Sequence, residues 1–120
     1  MIANIDINTL ENNLYLCYSK ELCYPKVASN WSNNNKYYGM CAITSLIVND
    51  YFGGEICKIY VDGISHYFNL IDNKIIDLTS KQFSHTINYN DYKIVKRDDI
   101  LTSDTISRYN LLKTRLEEYK

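Results

Sequence analysis

The fold class of this chain of 120 residues is decided by residues 56–79, ICKIYVDGISHYFNLIDNKIIDLT. Apolar and polar residues alternate here in three runs, and a pair of turn-forming residues, Asp62-Gly63 and then Asp72-Asn73, separates each run from the next. The runs are Ile56 to Val61, Ile64 to Ile71 and Lys74 to Thr79. Such pairs between alternating runs favour two-residue hairpin turns, so the pattern predicts a three-stranded antiparallel meander.

The segment before the meander predicts a buried helix. Residues 41–52, CAITSLIVNDYF, are apolar on most sides, and Gly53-Gly54 supplies the left-handed turn that ends a helix. Gly39 lets the chain turn sharply just before this helix. We therefore expect Cys41 in the first turn of a central helix that packs on the sheet.

Further elements are predicted on both sides of this core. An N-terminal helix begins at Asn8 as N-cap, and Glu11 three residues later favours a capping box. Its apolar face comprises Leu10, Leu14, Tyr15 and Tyr18. Residues 29–36 (SNWSNNNK) are polar around one Trp and are typical of a loop pinned to the body.

The C-terminal third predicts three smaller features. Thr79 with Gln82 caps a short helical turn containing Phe83, and Tyr92 to Val95 forms a fourth strand. Asp104 caps a last helix that runs through Tyr119. That helix places Ile106, Tyr109, Leu112, Leu116 and Tyr119 at helical spacing. The whole chain, 1–120, is thus expected to form one α+β domain with three to four antiparallel strands and helices at both ends.

The composition of the chain argues against some classes of function. The 46% of hydrophobic residues supports one core, and 13 basic against 14 acidic residues leave no basic patch for nucleic acid. No window is apolar enough to span a membrane and the first residues lack a signal-peptide pattern, so we expect a cytoplasmic protein with free thiols. The wealth of Tyr and Asn indicates an AT-rich genome, as in a low-GC bacterium or its phage.

Cys41, His66 and Asp77 are the residues that could carry chemistry. A thiol in the first turn of a helix lies near free backbone N–H groups and the positive end of the helix dipole, which favour the thiolate. His66 lies mid-strand on the face that carries Ile64 and Phe68. The alternatives are ordinary: a small buried cysteine at a helix start, and a buried strand histidine with a hydrogen-bonded partner.

The register favours Asp77 as the group that orients His66. A two-residue turn at Asp72-Asn73 pairs Phe68 with Asp77, which leaves Asp77 diagonal to His66 and within side-chain reach. Asn69 faces away by the same count and is the alternative orienting residue. The Cys41 N–H is the first predicted oxyanion donor, and Asn35 or Asn34 is the candidate for the second. His85 is expected at the surface.

These residues resemble the small bacterial YunG-like proteins over roughly residues 29 to 116. The shared residues form short runs in one chain order. The runs are Trp31, Gly39-Met40-Cys41-Ala42-Ile43-Thr44-Ser45-Leu46, Asn49-Asp50-Tyr51-Phe52-Gly53-Gly54-Glu55, His66-Tyr67-Phe68-Asn69, Asp77-Leu78-Thr79, Gln82-Phe83, Arg108-Tyr109, Leu112-Lys113 and Arg115-Leu116. Met40 departs from the pattern, because such relatives commonly have Gln there, and its presence removes a possible oxyanion donor.

The order Cys, His, Asp also resembles the minimal papain-like and transglutaminase-like core, in which a cysteine on a helix precedes a histidine strand. That resemblance implies a cysteine-dependent acyl-transfer enzyme acting on a protein or a small amide, with no cofactor. The alternative is a non-catalytic protein that binds or inhibits a partner through its 12 tyrosines. A metal site at the three residues is a weaker third hypothesis, since their spacing is not that of a zinc motif.

Overall fold

The computed structural model describes residues 5–118, which form a four-stranded antiparallel sheet and four α-helices. The helices are α1 (Ile7–Cys17), α2 (Cys41–Phe52), α3 (Arg97–Ile100) and α4 (Ser103–Glu117), and the strands are β1 (Glu55–Val61), β2 (Ile64–Ile71), β3 (Lys74–Ile76) and β4 (Lys93–Val95). Three short 3₁₀ turns lie at Lys20–Leu22, Pro25–Asn30 and Ser80–Gln82. The predicted α+β class is confirmed.

The sheet order β3-β2-β1-β4 contains the predicted meander with the predicted turns. Asp62-Gly63 and Asp72-Asn73 all have positive φ, between 51° and 81°, as a two-residue hairpin turn of type I′ requires. Ile71 pairs with Lys74 and Asn69 with Ile76. The third strand ends at Ile76 rather than at the predicted Thr79, so Asp77 leaves the sheet edge next to His66.

Helix α2 packs across β2 and forms the centre of the larger core. Its residues 43–48 are all buried, together with Leu10 and Leu14 of α1 and Leu112 of α4. Asn69 joins the two elements, because its amide donates a hydrogen bond to the Ser45 carbonyl at 3.0 Å. A smaller apolar cluster around Cys57, Ile59, Val61 and Phe68 packs against Phe83, Ile87 and Tyr89.

The helix boundaries differ from the predicted ones at both ends of the chain. Asp6, not Asn8, caps α1 by accepting a hydrogen bond from the Thr9 N–H at 2.8 Å. Thr102, not Asp104, is the N-cap of α4. In each case another short polar residue lies one turn or less upstream and holds the N-cap position, although the Thr102 side chain makes no capping hydrogen bond. The predicted end of α4 at Tyr119 lies outside the described residues.

Three of the predicted apolar positions lie elsewhere than expected. Tyr15 and Ile106 are exposed, at 36% and 41%, and Tyr18 is buried but lies just after α1 as its C-cap. Part of the predicted 29–36 loop is 3₁₀ turn, and the Trp31 indole donates to the Lys36 carbonyl at 3.2 Å. That bond pins the loop through its one large aromatic residue.

Helix α4 is fastened to α2 through the short helix α3, which was not predicted. Arg97 of α3 forms an ion pair with Asp50 at 2.7 Å and donates to the Tyr109 hydroxyl of α4 at 2.9 Å. Tyr109 in turn donates to Asp50. The arrangement holds α4 alongside the helix that carries Cys41. Within residues 5–118, none of the helices is both long and apolar enough to cross a membrane.

Candidate active site

Cys41 is the first residue of α2, and the chain before it is tightly constrained. Gly39 has φ +75°, and a Cβ at this position would overlap Cys23 Sγ. Its carbonyl also accepts a hydrogen bond from the Tyr24 N–H at 3.1 Å. Only glycine fits a positive φ with so close a neighbour. Because no side chain caps the start of α2, its first N–H groups remain available beside the thiol.

His66 lies on β2 at the sheet edge that β3 leaves uncovered. Its Cα is paired with Ile59 of β1 on the other side, and the side chain is 1% exposed. The ring Nε2 lies 2.6 Å from Asp77 Oδ2. An ionised carboxylate only accepts hydrogen bonds, so Nε2 carries the hydrogen and Nδ1 is the nitrogen left to act on a neighbour.

Asp77 is held in place by hydrogen bonds at both carboxylate oxygens. Oδ2 accepts from His66 and from the Tyr89 hydroxyl, the latter at 2.7 Å, while Oδ1 accepts from the Thr79 N–H at 3.2 Å. The side chain is 4% exposed. A buried carboxylate with these partners is fixed in both position and orientation, which in turn fixes the His66 ring.

The thiol of Cys41 lines the same cavity as the His66 ring and is near enough to affect its pKa. Burial by itself lowers the pKa of His66, but hydrogen bonding to Asp77 and Cys41 and the negative charges of both raise it to about 9. Nδ1 is buried without a hydrogen bond of ordinary geometry to any described residue. The thiol–imidazole contact is therefore looser than the Asp77 bond.

A cavity of about 550 Å³ opens beside Cys41 and His66. Its wall includes the aromatic and apolar side chains of Tyr24, Val27 and Phe83, which come from two segments, as well as the polar side chain of Gln82. Helix α4 contributes Thr105 and Arg108, both 7% exposed. A volume of this size accommodates a small molecule or one or two residues of a peptide.

The structure brings Cys41, His66 and Asp77 together, and the other predicted site residues lie apart from them. Neither Asn34 nor Asn35 lines the cavity: Asn34 is exposed, and Asn35 donates its amide to the Gln82 carbonyl at 2.9 Å. Asn69 faces α2 through its bond to Ser45. His85 is exposed and contacts Asp62 at 2.9 Å.

Cys41 also differs from the other three cysteines. Cys17, Cys23 and Cys57 are buried, whereas Cys41 is partly exposed, and all four are free thiols. Burial raises the pKa of Cys17 and of Cys23. Burial and the charge of Glu55 raise the pKa of the Cys57 thiol to about 11. These three thiols are thus poor nucleophiles and serve as internal references for Cys41.

Two residues at this site were not identified from the sequence. Tyr89 lies in the loop before β4 and reaches Asp77 from 12 positions along the chain. Arg108 points from α4 toward the cavity wall, although the spacing of α4 marks that helix only as amphipathic. Only the resemblance to YunG-like proteins, which includes Arg108-Tyr109, carried a signal for either.

No group of three or more His, Cys, Asp or Glu side chains within residues 5–118 is arranged to hold a metal ion. Of the three residues at this site, Asp77 already accepts hydrogen bonds from His66, Tyr89 and Thr79.

Comparison with known proteins assigns the chain to a family. A family model described as YunG protein matches residues 6–120, and the chain belongs to the YunG family. A relative from Bacillus subtilis (strain 168), with the name "Uncharacterized protein YunG", is 39% identical over 62 residues, which cover 52% of this chain and 54% of the relative. The match thus spans about half the length of that relative. No solved structure matches the chain.

Proposed function

We propose that this protein is a cysteine-dependent acyl-transfer enzyme. Cys41 is the nucleophile, His66 is the general base and then the general acid, and Asp77 orients the imidazole. One observation carries the proposal: the buried His66 ring is bound to Asp77 at 2.6 Å and lines the same cavity as the Cys41 thiol. The reaction class comprises peptide or amide hydrolysis, side-chain deamidation and acyl transfer.

The geometry supports a two-step reaction. The raised pKa of His66 favours a resting pair in which the thiol proton already lies on Nδ1, and the Cys41 thiolate attacks the substrate carbonyl carbon to give a tetrahedral intermediate. The carbon–nitrogen bond then breaks, the leaving amine takes the proton from His66, and an acyl–Cys41 thioester remains. Water or an acceptor amine, deprotonated by His66, attacks the thioester and releases the product together with the free thiol.

The oxyanion of each intermediate needs hydrogen-bond donors near Cys41. The Cys41 backbone N–H at the uncapped start of α2 is the donor that the geometry favours, and the positive end of the helix dipole adds to it. Asn35 would have to release the Gln82 carbonyl to contribute. We therefore propose a backbone oxyanion site in this protein and keep Asn34 and Asn35 as predictions only.

The finer fold proposal is a minimal papain-like or transglutaminase-like core. Its support is the order of elements, with the cysteine at the start of a helix, the histidine on the second strand of a meander and the aspartate directly after the third. This remains an analogy of arrangement, because function belongs to the site rather than to the fold.

The pH dependence of iodoacetamide alkylation, followed for each cysteine by mass spectrometry, tests the proposal. At about pH 6 we expect Cys41 to be labelled well before Cys17, Cys23 and Cys57, and we expect His66→Ala to slow its labelling by about tenfold or more. Equal labelling of Cys41 in both proteins would contradict an activated pair and would favour the alternative, a binding protein.

A substrate screen completes the test. Fluorogenic peptide, amide and ester substrates should be turned over by the native protein, and Cys41→Ser should remove the turnover. His85→Asn is the matched control, because His85 lies outside the cavity and its substitution should leave turnover unchanged.

A further inference from the structure

Arg108 is a buried cation that forms no ion pair with any described carboxylate. It lies on α4, is 7% exposed, and shares the cavity wall with Cys41 and His66. Charged side chains are almost never buried to this degree without a partner. Its position and burial therefore call for an explanation.

The hydrogen bonds of Arg108 are incomplete. Nη1 donates to the Leu22 carbonyl at 3.1 Å, whereas Nε is buried without a hydrogen-bond partner among the described residues. No described carboxylate lies within 4.0 Å of the guanidinium, and the Tyr24 ring lies 5.8 Å from it. Burial lowers the pKa of Arg108, and the nearby charges of Cys41, Cys23 and Asp104 raise it in part. A desolvated guanidinium without a carboxylate in contact costs free energy that a bound carboxylate would recover.

We propose that the Cys41 cavity binds an acyl substrate that carries a carboxylate, with the Arg108 guanidinium as the anchor for that group. This inference rests on the proposed acyl-transfer function and names its substrate class. Arginine suits the task because its planar fork matches a carboxylate with two parallel hydrogen bonds. A short peptide with its own C-terminal carboxylate, or a small amide of a dicarboxylic acid, fits this description.

Other residues of the cavity wall also favour an anionic group on the ligand. Thr105, three positions before Arg108 on α4, is buried, and its hydroxyl, which is hydrogen-bonded to the Thr102 hydroxyl at 3.2 Å, can donate to a ligand while it accepts from Thr102. Lys26 adds an exposed positive charge to the wall. Asp99 also lines the cavity, but it is exposed and makes no ion pair with Arg108 within 4.0 Å.

Two alkylating agents separate recruitment of a carboxylate from activation of the thiol. Iodoacetate and iodoacetamide form the same carbon–sulfur bond with loss of iodide, but only iodoacetate carries a carboxylate. The quantity to measure is the ratio of their rate constants at Cys41. We expect Arg108→Gln to lower this ratio by about tenfold, the loss expected for one charge-assisted interaction. Lys113→Gln, which removes an exposed charge from the same helix, should leave the ratio unchanged.

Each outcome has a definite meaning. An unchanged ratio with slower reaction of both agents would show that Arg108 acts on the thiolate alone, and it would overturn the inference. A ratio that falls in Lys26→Gln but not in Arg108→Gln would overturn it too. If Cys41 is not an activated nucleophile, the result is different: Cys41 then reacts with iodoacetamide no faster than an ordinary thiol.

A measurement on the native protein tests the inference even if the Arg108→Gln variant does not fold. Succinate should slow iodoacetamide labelling of Cys41 in a saturable way, and the neutral analogue succinamide should not do so at the same concentration. Equal effects of the two compounds would contradict a carboxylate site, whatever the variant does.

Discussion

The chain carries two histidine–aspartate pairs that have similar hydrogen bonds in opposite surroundings. His66 and Asp77 meet at 2.6 Å with side chains 1% and 4% exposed, while His85 and Asp62 meet at 2.9 Å with side chains 48% and 69% exposed. Solvent screens the charges of the second pair, so its contact contributes little to the free energy of unfolding. The first pair is shielded from water, so each charged group depends on the other to offset the cost of its burial.

The pairs also differ in what surrounds them. Asp77 is bound by Thr79 and Tyr89, and His66 contacts a thiol at the wall of a cavity. Asp62 belongs to the β1–β2 turn, and His85 makes its other hydrogen bond to the adjacent Thr86 carbonyl, at 3.1 Å. The comparison shows that burial and a network of partners, rather than the histidine–aspartate contact, distinguish a candidate active site from a surface pair.

The largest expected effect comes from removing one carboxylate of each pair. Asp77→Asn should lower the free energy of unfolding by about 3–5 kcal/mol at pH 6, because it leaves a buried imidazolium without its counter-charge. Asp62→Asn, which suits the positive φ at that turn, should change it far less. Urea unfolding of both variants measures the difference. Similar losses would contradict the contrast between the pairs.

The pH dependence of stability sharpens the contrast. The rise in the pKa of His66 from 6.5 to about 9 corresponds to about 3 kcal/mol of stability. Because the folded state binds this proton more tightly, the contribution is full below about pH 6.5 and is lost as the pH rises through about 9. The gap in unfolding free energy between the native protein and Asp77→Asn should narrow over that window, and a constant gap would refute the assignment.

Tyr89 should contribute a smaller effect. Tyr89→Phe removes the hydroxyl that donates to Asp77 and should lower the free energy of unfolding by about 1.5 kcal/mol, since the acceptor is charged. Tyr92→Phe is the matched control, because Tyr92 packs on the same Phe68 ring and its hydroxyl makes no hydrogen bond to any described side chain. Equal losses in the two variants would contradict a role for the Asp77 bond.

Local sequence predicted the elements because their signals are local. The turns at Asp62-Gly63 and Asp72-Asn73 set the register of the meander, and Gly53 ends α2 as expected. The same register indicated that Asp77 emerges next to His66. The strand nevertheless ends at Ile76, because residues 77–82 turn away into a 3₁₀ turn.

The remaining features depend on contacts between distant parts of the chain. Tyr89 reaches Asp77 from a loop, and Arg108 reaches the cavity from α4, which Arg97 and Tyr109 help to fasten to α2. The side-chain amide of the predicted donor Asn35 is already hydrogen-bonded to the carbonyl of Gln82, 47 positions along the chain. Packing of helices and loops against the sheet decides each of these contacts, and periodicity and capping signals do not encode it.

The most direct test of the central claim is a titration of both histidines by ¹⁵N NMR in the native protein and in Cys41→Ala. We predict that His66 titrates near pH 9, carries its hydrogen on Nε2 when neutral, and shows a lower pKa in Cys41→Ala, while the pKa of His85 is the same in both proteins. A His66 that titrates at or below pH 6.5, or that does not respond to loss of the thiol, would contradict a coupled Cys41–His66–Asp77 site.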